Sequence, residues 1–273
     1  MTDIAAGKVP VLKCFEQAWR FFFDHWRMFL PASIVSAVAA VVSTMLSTGV
    51  AGMFLGLAIG TIASAVLTAT VLRKAIREEY APPFGVAFGP DELRLIATQV
   101  CFALLIFPFA ILFVLLFSVG AVARGLNKEE IEAISTDPEA ANKLITDFLS
   151  TPLGASIVLV CLVGVALLAV RLFLVNAATI GERRIVFFQT WSWSKGNVLR
   201  MLGAMILTAL PAAVANLILA ELLVSIVGQS GSLLILSLAS GIASLIGALL
   251  SIPVIALGAI LYKGLRPPGF VAK

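Results

Sequence analysis

Two charged side chains, Arg171 and Glu182, stand in and just beyond an apolar run, AVRLFLVNAATIGERR, residues 169–184. An arginine deep in a membrane is a transport or gating charge; at the edge it anchors the helix to headgroups. If the span enters from outside near Leu153, Arg171 lies about 27 Å further along, near the inner boundary. That spacing predicts an edge residue. Glu182 follows eleven residues later, close to three helical turns, which makes it the expected partner of Arg171. By the same arithmetic Glu221 falls about 30 Å up its span, near the outer surface. Asn216, one turn deeper, is the candidate for an interhelical hydrogen bond. No acidic residue occupies the middle of a span, where ion-coupled transporters place ionisable groups.

Other chemistries find no residues to run on. His25 is the single histidine, which excludes an H-E-x-x-H zinc site and leaves no partnered nucleophile. There is no G-x-S-x-G, no Walker A and no carboxylate pair within an apolar span. Cys14, Cys101 and Cys161 lie far apart and read as small buried fillers, not a metal site or disulfide framework. Gly89, Pro90, Asp91 and Glu92 read as the capped start of a helix. No enzyme activity, catalytic residue, metal or cofactor is expected.

The elements that carry these residues are set by composition. The chain is 60% hydrophobic and 12% charged, with a mean hydropathy of +1.07. Soluble domains carry about twice that charge. Apolar stretches of about 20 residues can cross a hydrocarbon core, and six are expected: 29–48, 50–72, 95–122, 153–177, 199–222 and 233–261. The first two form one run from Met28 to Leu72, too long for one crossing and divided at Ser47-Thr48-Gly49. Pro108, Pro211 and Pro253 are expected to break the third, fifth and sixth. The fold class is therefore all-α, a polytopic transmembrane helix bundle forming a single integral domain over 1–273. The 123–152 loop is too short for a core of its own; its IEAISTDPEAANKLITDFL suggests two short helices parted at Asp137-Pro138. No cleavable leader is expected, because Lys8, Lys13, Arg20 and Arg27 precede the first apolar span.

Lysine and arginine set the orientation. They gather before residue 28, in 73–94, in 181–200 and in the tail, whereas the connections near 48 and 223–232 hold none. The 123–152 loop has an acidic excess. The positive-inside rule then places both termini in the cytoplasm and that loop outside. The net charge of +4 is accounted for by a basic collar facing anionic lipid, so nucleic acid is not implied.

Residues 10–28 are expected to form an in-plane interfacial helix, the alternative being the core face of an ordinary helix. Val11, Phe15, Ala18, Phe22, Trp26 and Phe29 cluster on one face at 100° per residue, opposite Lys13, Gln17, Arg20, Asp24 and Arg27. The theme returns at a shift of 172, where Phe15, Gln17 and Trp19 fall on Phe187, Gln189 and Trp191. Ala32, Ser36, Ala40, Thr44 and Thr48 fall on Ala204, Thr208, Ala212, Asn216 and Ala220. A parallel internal repeat with a second interfacial helix is one reading; chance similarity between Ala-rich spans is the other. In the second span Gly52, Gly56, Gly60 and Ser64 form a small-x-x-x-small ridge that wants a helix against it.

Arg171 to Asn197 resembles the membrane domain found beside some bacterial glycerophosphodiester phosphodiesterases, and related six-span inner-membrane proteins. The residues that carry the resemblance are Arg171, Glu182, Thr190, Trp191, Lys195, Gly196 and Asn197; Asn176 and Thr190 stand where that pattern has proline and serine. The hydrolase part is absent, so the resemblance implies a bacterial envelope membrane protein without diesterase activity. The sequence reading is a non-enzymatic inner-membrane protein that interacts with lipid or assists an envelope complex. Its partners would be phospholipids with anionic headgroups on the cytoplasmic side, or another membrane protein. Trp19, Trp26, Trp191 and Trp193 are the expected interface anchors; Arg20, Arg27, Arg171, Arg183, Arg184 and Lys195 are the headgroup contacts. The rival is a transporter or permease subunit for a lipid-like or apolar solute.

Overall fold

The computed structural model describes residues 8–47, 49–80, 84–123, 146, 150–227 and 232–267. It is an all-α structure. The long helices are α1 (Val11–Leu46), α2 (Val50–Arg77), α3 (Pro90–Ala123), α4 (Pro152–Leu172), α7 (Val198–Val227) and α8 (Leu233–Leu265); between α4 and α7 lie the short α5 (Val175–Glu182) and α6 (Gln189–Trp193). Among the described residues, six helices are long and apolar enough to cross a membrane. In hydrocarbon a helix alone satisfies its own backbone groups, which is why these sequences adopt it. The external loop 123–152, with its two expected short helices, falls almost entirely outside the described residues.

The chain forms two compact units, 1–99 with 170–273, and 100–169. In the second, Phe109 of α3 lies 3.8 Å from the position of a Cβ on Gly164 of α4. The first unit is a bundle in which α1 runs antiparallel to α8 and also packs on α2 and α7, while α8 touches α2, α5 and α7. The repeat would pair α7 with α2 as α1 pairs with α8. Among the described residues those two helices are not in substantial contact, so the packing lacks a two-fold.

The turn at 47–49 falls where the sequence divides: α1 ends at Leu46, α2 begins at Val50, and Gly49 takes φ +88°. Residues 10–28 are not a separate helix. They run without interruption into the first span as a helix of 36 residues, about 54 Å long against a hydrocarbon core of about 30 Å. The N-terminal turns therefore stand clear of that core, and one stripe of them is protein core. Cys14 and Ala18 are buried with Leu72, Ile180, Val186, Met201 and Leu261. A second cluster joins Phe29 and Ala32 to Leu67, Val71 and Ile252. The amphipathic pattern is met by packing along Cys14 and Ala18, with Trp26 left outside.

The expected proline breaks are absent: Pro108, Pro211 and Pro253 each lie inside an uninterrupted helix, as does Pro31. The real interruption falls at Phe173-Leu174, between α4 and α5.

Small residues let the helices close. A Cβ on Gly241 of α8 would come within 2.6 Å of Val41 Cγ2 on α1. Beside it Ser244 Oγ donates to Ser36 O at 3.0 Å, and Ser240 Oγ lies 2.9 Å from Thr44 Oγ1. The glycine ridge of α2 divides in two. Gly52 and Gly56 meet α1, where Ser43 Oγ donates to Gly56 O at 3.1 Å. A Cβ on Gly60 would meet nothing within 4 Å; Gly60 and Ser64 border a 390 Å³ cleft with Ser36, Ser244 and Ser251.

Candidate functional site

The polar residues converge where α1 begins and α2 and α8 end, the basic end of the first unit. Arg73 and Arg77 are one turn apart on α2 and share a face. They meet the first turn of α3, where the amide dipoles favour carboxylates. Glu92 reaches back as a cap, its Oε2 accepting the Gly89 N–H at 2.8 Å, and is fully buried. Arg73 Nη1 stands 2.6 Å from Glu92 Oε1, off the N–H axis, so the contact is one of charge. Asp91 binds Arg77 and, at 2.9 Å, Arg94. Glu79 links Arg77 at 3.5 Å to Arg183 at 3.2 Å. Sequence reading found the cap but not this network. The signal was available in the four-residue spacing of Arg73 and Arg77 facing Asp91-Glu92.

Glu182 does not pair with Arg171. It accepts the Tyr262 hydroxyl at 2.6 Å and lies 2.8 Å from Arg266 Nε, both at the end of α8. Its side chain is only 7% exposed. The restart of the helix after Leu174 breaks the register on which an eleven-residue count depends. Gly181 is required beside it, since a Cβ there would fall 2.4 Å from the Tyr262 hydroxyl.

Arg171 is seated at the edge of the protein surface. Its guanidinium stacks on Trp191 at 5.3 Å from the ring centroid, and Nη1 donates to Trp191 O at 3.1 Å. Arg27 repeats the arrangement over Trp26 at 5.5 Å. Both rings remain accessible, 44% for Trp191 and 36% for Trp26. The other expected anchors differ. Trp193 is core, 7% exposed and 6.1 Å from the Tyr262 ring. Trp19 is half-buried, edge-to-face with Phe22 and tilted against Phe23, its Nε1 enclosed without a partner. Small neighbours decide this: Trp193 faces inward because Thr190 and Ser194 on the same short turn are buried too.

Among the expected headgroup contacts, Lys195 and Arg27 are exposed, Arg20 stands 4.0 Å from Asp24, Arg183 is held by Glu79, and Arg184 is half-buried. Asn216 is exposed on α7, with its carboxamide oxygen 3.5 Å from a Cβ position on Gly247 of α8. Asn176 accepts Thr98 Oγ1 at 3.2 Å, and Gln99 Nε2 reaches Ser64 Oγ at 3.4 Å. Asn197, after Gly196 at φ +81°, accepts the Val9 N–H at 3.1 Å and so fixes the lead into α1. Of the cysteines expected as buried fillers, Cys14 is buried, Cys101 exposed and Cys161 intermediate; the last two lie on the long apolar helices α3 and α4.

No protein-family model, curated protein or solved structure matches this chain.

Proposed function

We propose that this multi-pass membrane protein is non-enzymatic and holds its basic end against anionic phospholipid headgroups, on the cytoplasmic side of a bacterial inner membrane. The observation that carries the reading is the pair of accessible cation–aromatic stacks, Arg27 on Trp26 and Arg171 on Trp191. A tryptophan ring at the headgroup level with a cation over it offers the lipid an apolar plane and a charge together. Phe23 and Phe188, three residues before Trp26 and Trp191, are exposed as well. The resemblance to the membrane domain beside glycerophosphodiester phosphodiesterases agrees with an envelope role, alone or as an accessory to another membrane protein.

The test is retention of lipid. Protein released gently from membranes holding phosphatidylglycerol and phosphatidylethanolamine should carry an excess of the anionic lipid by native mass spectrometry. Reversal of Arg27 and Lys195 to glutamate should remove that excess. An unchanged ratio would overturn the reading.

The serine-lined cleft between α1, α2 and α8 favours a second reading, passage of an apolar or lipid-like solute. Most of its serine hydroxyls are already donated: Ser36 to Ala32 O, Ser43 to Gly56 O, Ser244 to Ser36 O, Ser251 to Ala248 O. Such a wall carries no charged side chain, and its alanine methyls and serine methylenes make it a surface for an apolar solute.

A further inference from the structure

At the basic end α1, α2 and α8 leave a second cleft, of 420 Å³, distinct from the serine-lined one. Ala75 and Ala256 are small residues on facing helices, Phe21 and Ile260 supply walls, and Lys263 and Gly264 stand at one end. Ala256, Ile260 and Lys263 are spaced by four and three on α8, so all three share a face. Lys263 is exposed and Ala256 is 1% exposed, and they are separated by about 10 Å along the axis. The cleft is thus graded, with one cation at the outer end and hydrocarbon at the inner. The gradient runs along α8.

We infer that this cleft is a lipid site: it takes one acyl chain of an anionic glycerophospholipid, whose phosphate sits on Lys263. The inference rests on the lipid-facing reading and specifies one bound molecule in place of a general surface. Charge and shape select the occupant. A free anion has no use for the apolar depth, and an apolar solute has none for the ammonium. A docked helix, about 10 Å across, would fill this volume within roughly one turn, too short for a stable seat. The volume lies within the range of about 300–1,000 Å³ found for small-molecule sites.

The experiment uses the full chain in nanodiscs containing phosphatidylglycerol with a diazirine on the acyl chain, against phosphatidylcholine carrying the same group. Irradiation and peptide mapping should place the phosphatidylglycerol adduct on Phe21 or Ile260, with phosphatidylcholine labelling lower by about fivefold, the factor one lysine confers near a surface. K263Q should lower the phosphatidylglycerol adduct by about the same factor and leave helicity unchanged. G264L, at the half-buried rim, should block both lipids without touching the charge. Labelling of the two peptides that is indifferent to K263Q and G264L overturns the inference. The double reversal of Arg27 and Lys195 separates the two claims. Loss of bulk anionic excess with the adduct intact leaves the cleft standing as a discrete site. Loss of bulk excess with no adduct at Phe21 or Ile260 in the unaltered protein removes the cleft and keeps the surface reading.

Discussion

Glu182 holds two partners from the end of α8, and the consequences of removing each are unequal. Tyr262 is 3% exposed, so loss of its acceptor leaves a buried hydroxyl unpaired, a cost of about 1–3 kcal/mol. E182A should therefore lower stability by that amount or more, since Arg266 also loses its contacts with the carboxylate. Y262F deletes the donor and leaves Glu182 with Arg266, and should cost about 1 kcal/mol. Arg171→Ala should cost about 0.5–1 kcal/mol, the worth of an exposed cation–aromatic contact. Denaturation of the three variants in mixed detergent micelles reads the ranking, and a larger loss for Arg171 than for Glu182 would contradict it. Arg171's distance along its span was legible, being simple arithmetic. Its partner was not, because α4 ends at Leu172 and nothing in FLVN marks the loss of register. The Arg73–Glu92 contact is the other residue-scale weak point. Glu92 is fully buried beside a guanidinium with its own Nη2 unpaired, and E92A should cost about 1–3 kcal/mol, because Arg73 loses its nearer carboxylate but keeps Asp91 at 4.0 Å.

At the scale of helices, association in lipid depends on close backbone approach more than on burial of apolar area. Gly241 and Gly60 both read as small residues in apolar spans, yet their surroundings differ. Leucine at 241 would drive into Val41 and force α1 from α8, with an expected loss of about 1–3 kcal/mol. Leucine at 60 enters open space in the cleft and should leave stability near that of the parent. Equal loss for the two would show that the α1–α8 seam is not where the bundle closes; detergent-resistance assays on the pair decide it. The six spans could be read from sequence because length and hydropathy alone define them. The course of α1 could not. An in-plane helix and a helix standing in a bundle share the 3.6 period, and the pattern from Val11 to Phe29 carries no mark of where the axis turns. The prolines misled for a related reason: a neighbouring helix can satisfy the one carbonyl each leaves free, so the helix continues.

For the whole molecule, the start of α1 and the end of α8 meet at one end of the first unit, with the arginine network beside them. If the positive-inside rule governs the chain, this end is cytoplasmic. With Cys14, Cys101 and Cys161 replaced, a single cysteine at Ser232 should react with an impermeant maleimide on intact cells. One at Lys195 should react only after permeabilisation. The reverse pattern would invert the topology and place the lipid site in the other leaflet.

The seam between α1 and α8 joins the first span to the last. During synthesis α1 enters the bilayer with its serine and alanine stripe facing only lipid, and the segment that covers it lies some two hundred residues downstream. At about 5–20 residues per second, roughly 10–40 s pass before α8 emerges. The bond from Val9 to Asn197 waits almost as long. A ribosome that stops short of α8 therefore releases a chain whose first helix never finds its partner, and quality-control proteases in the membrane would meet that exposed stripe first.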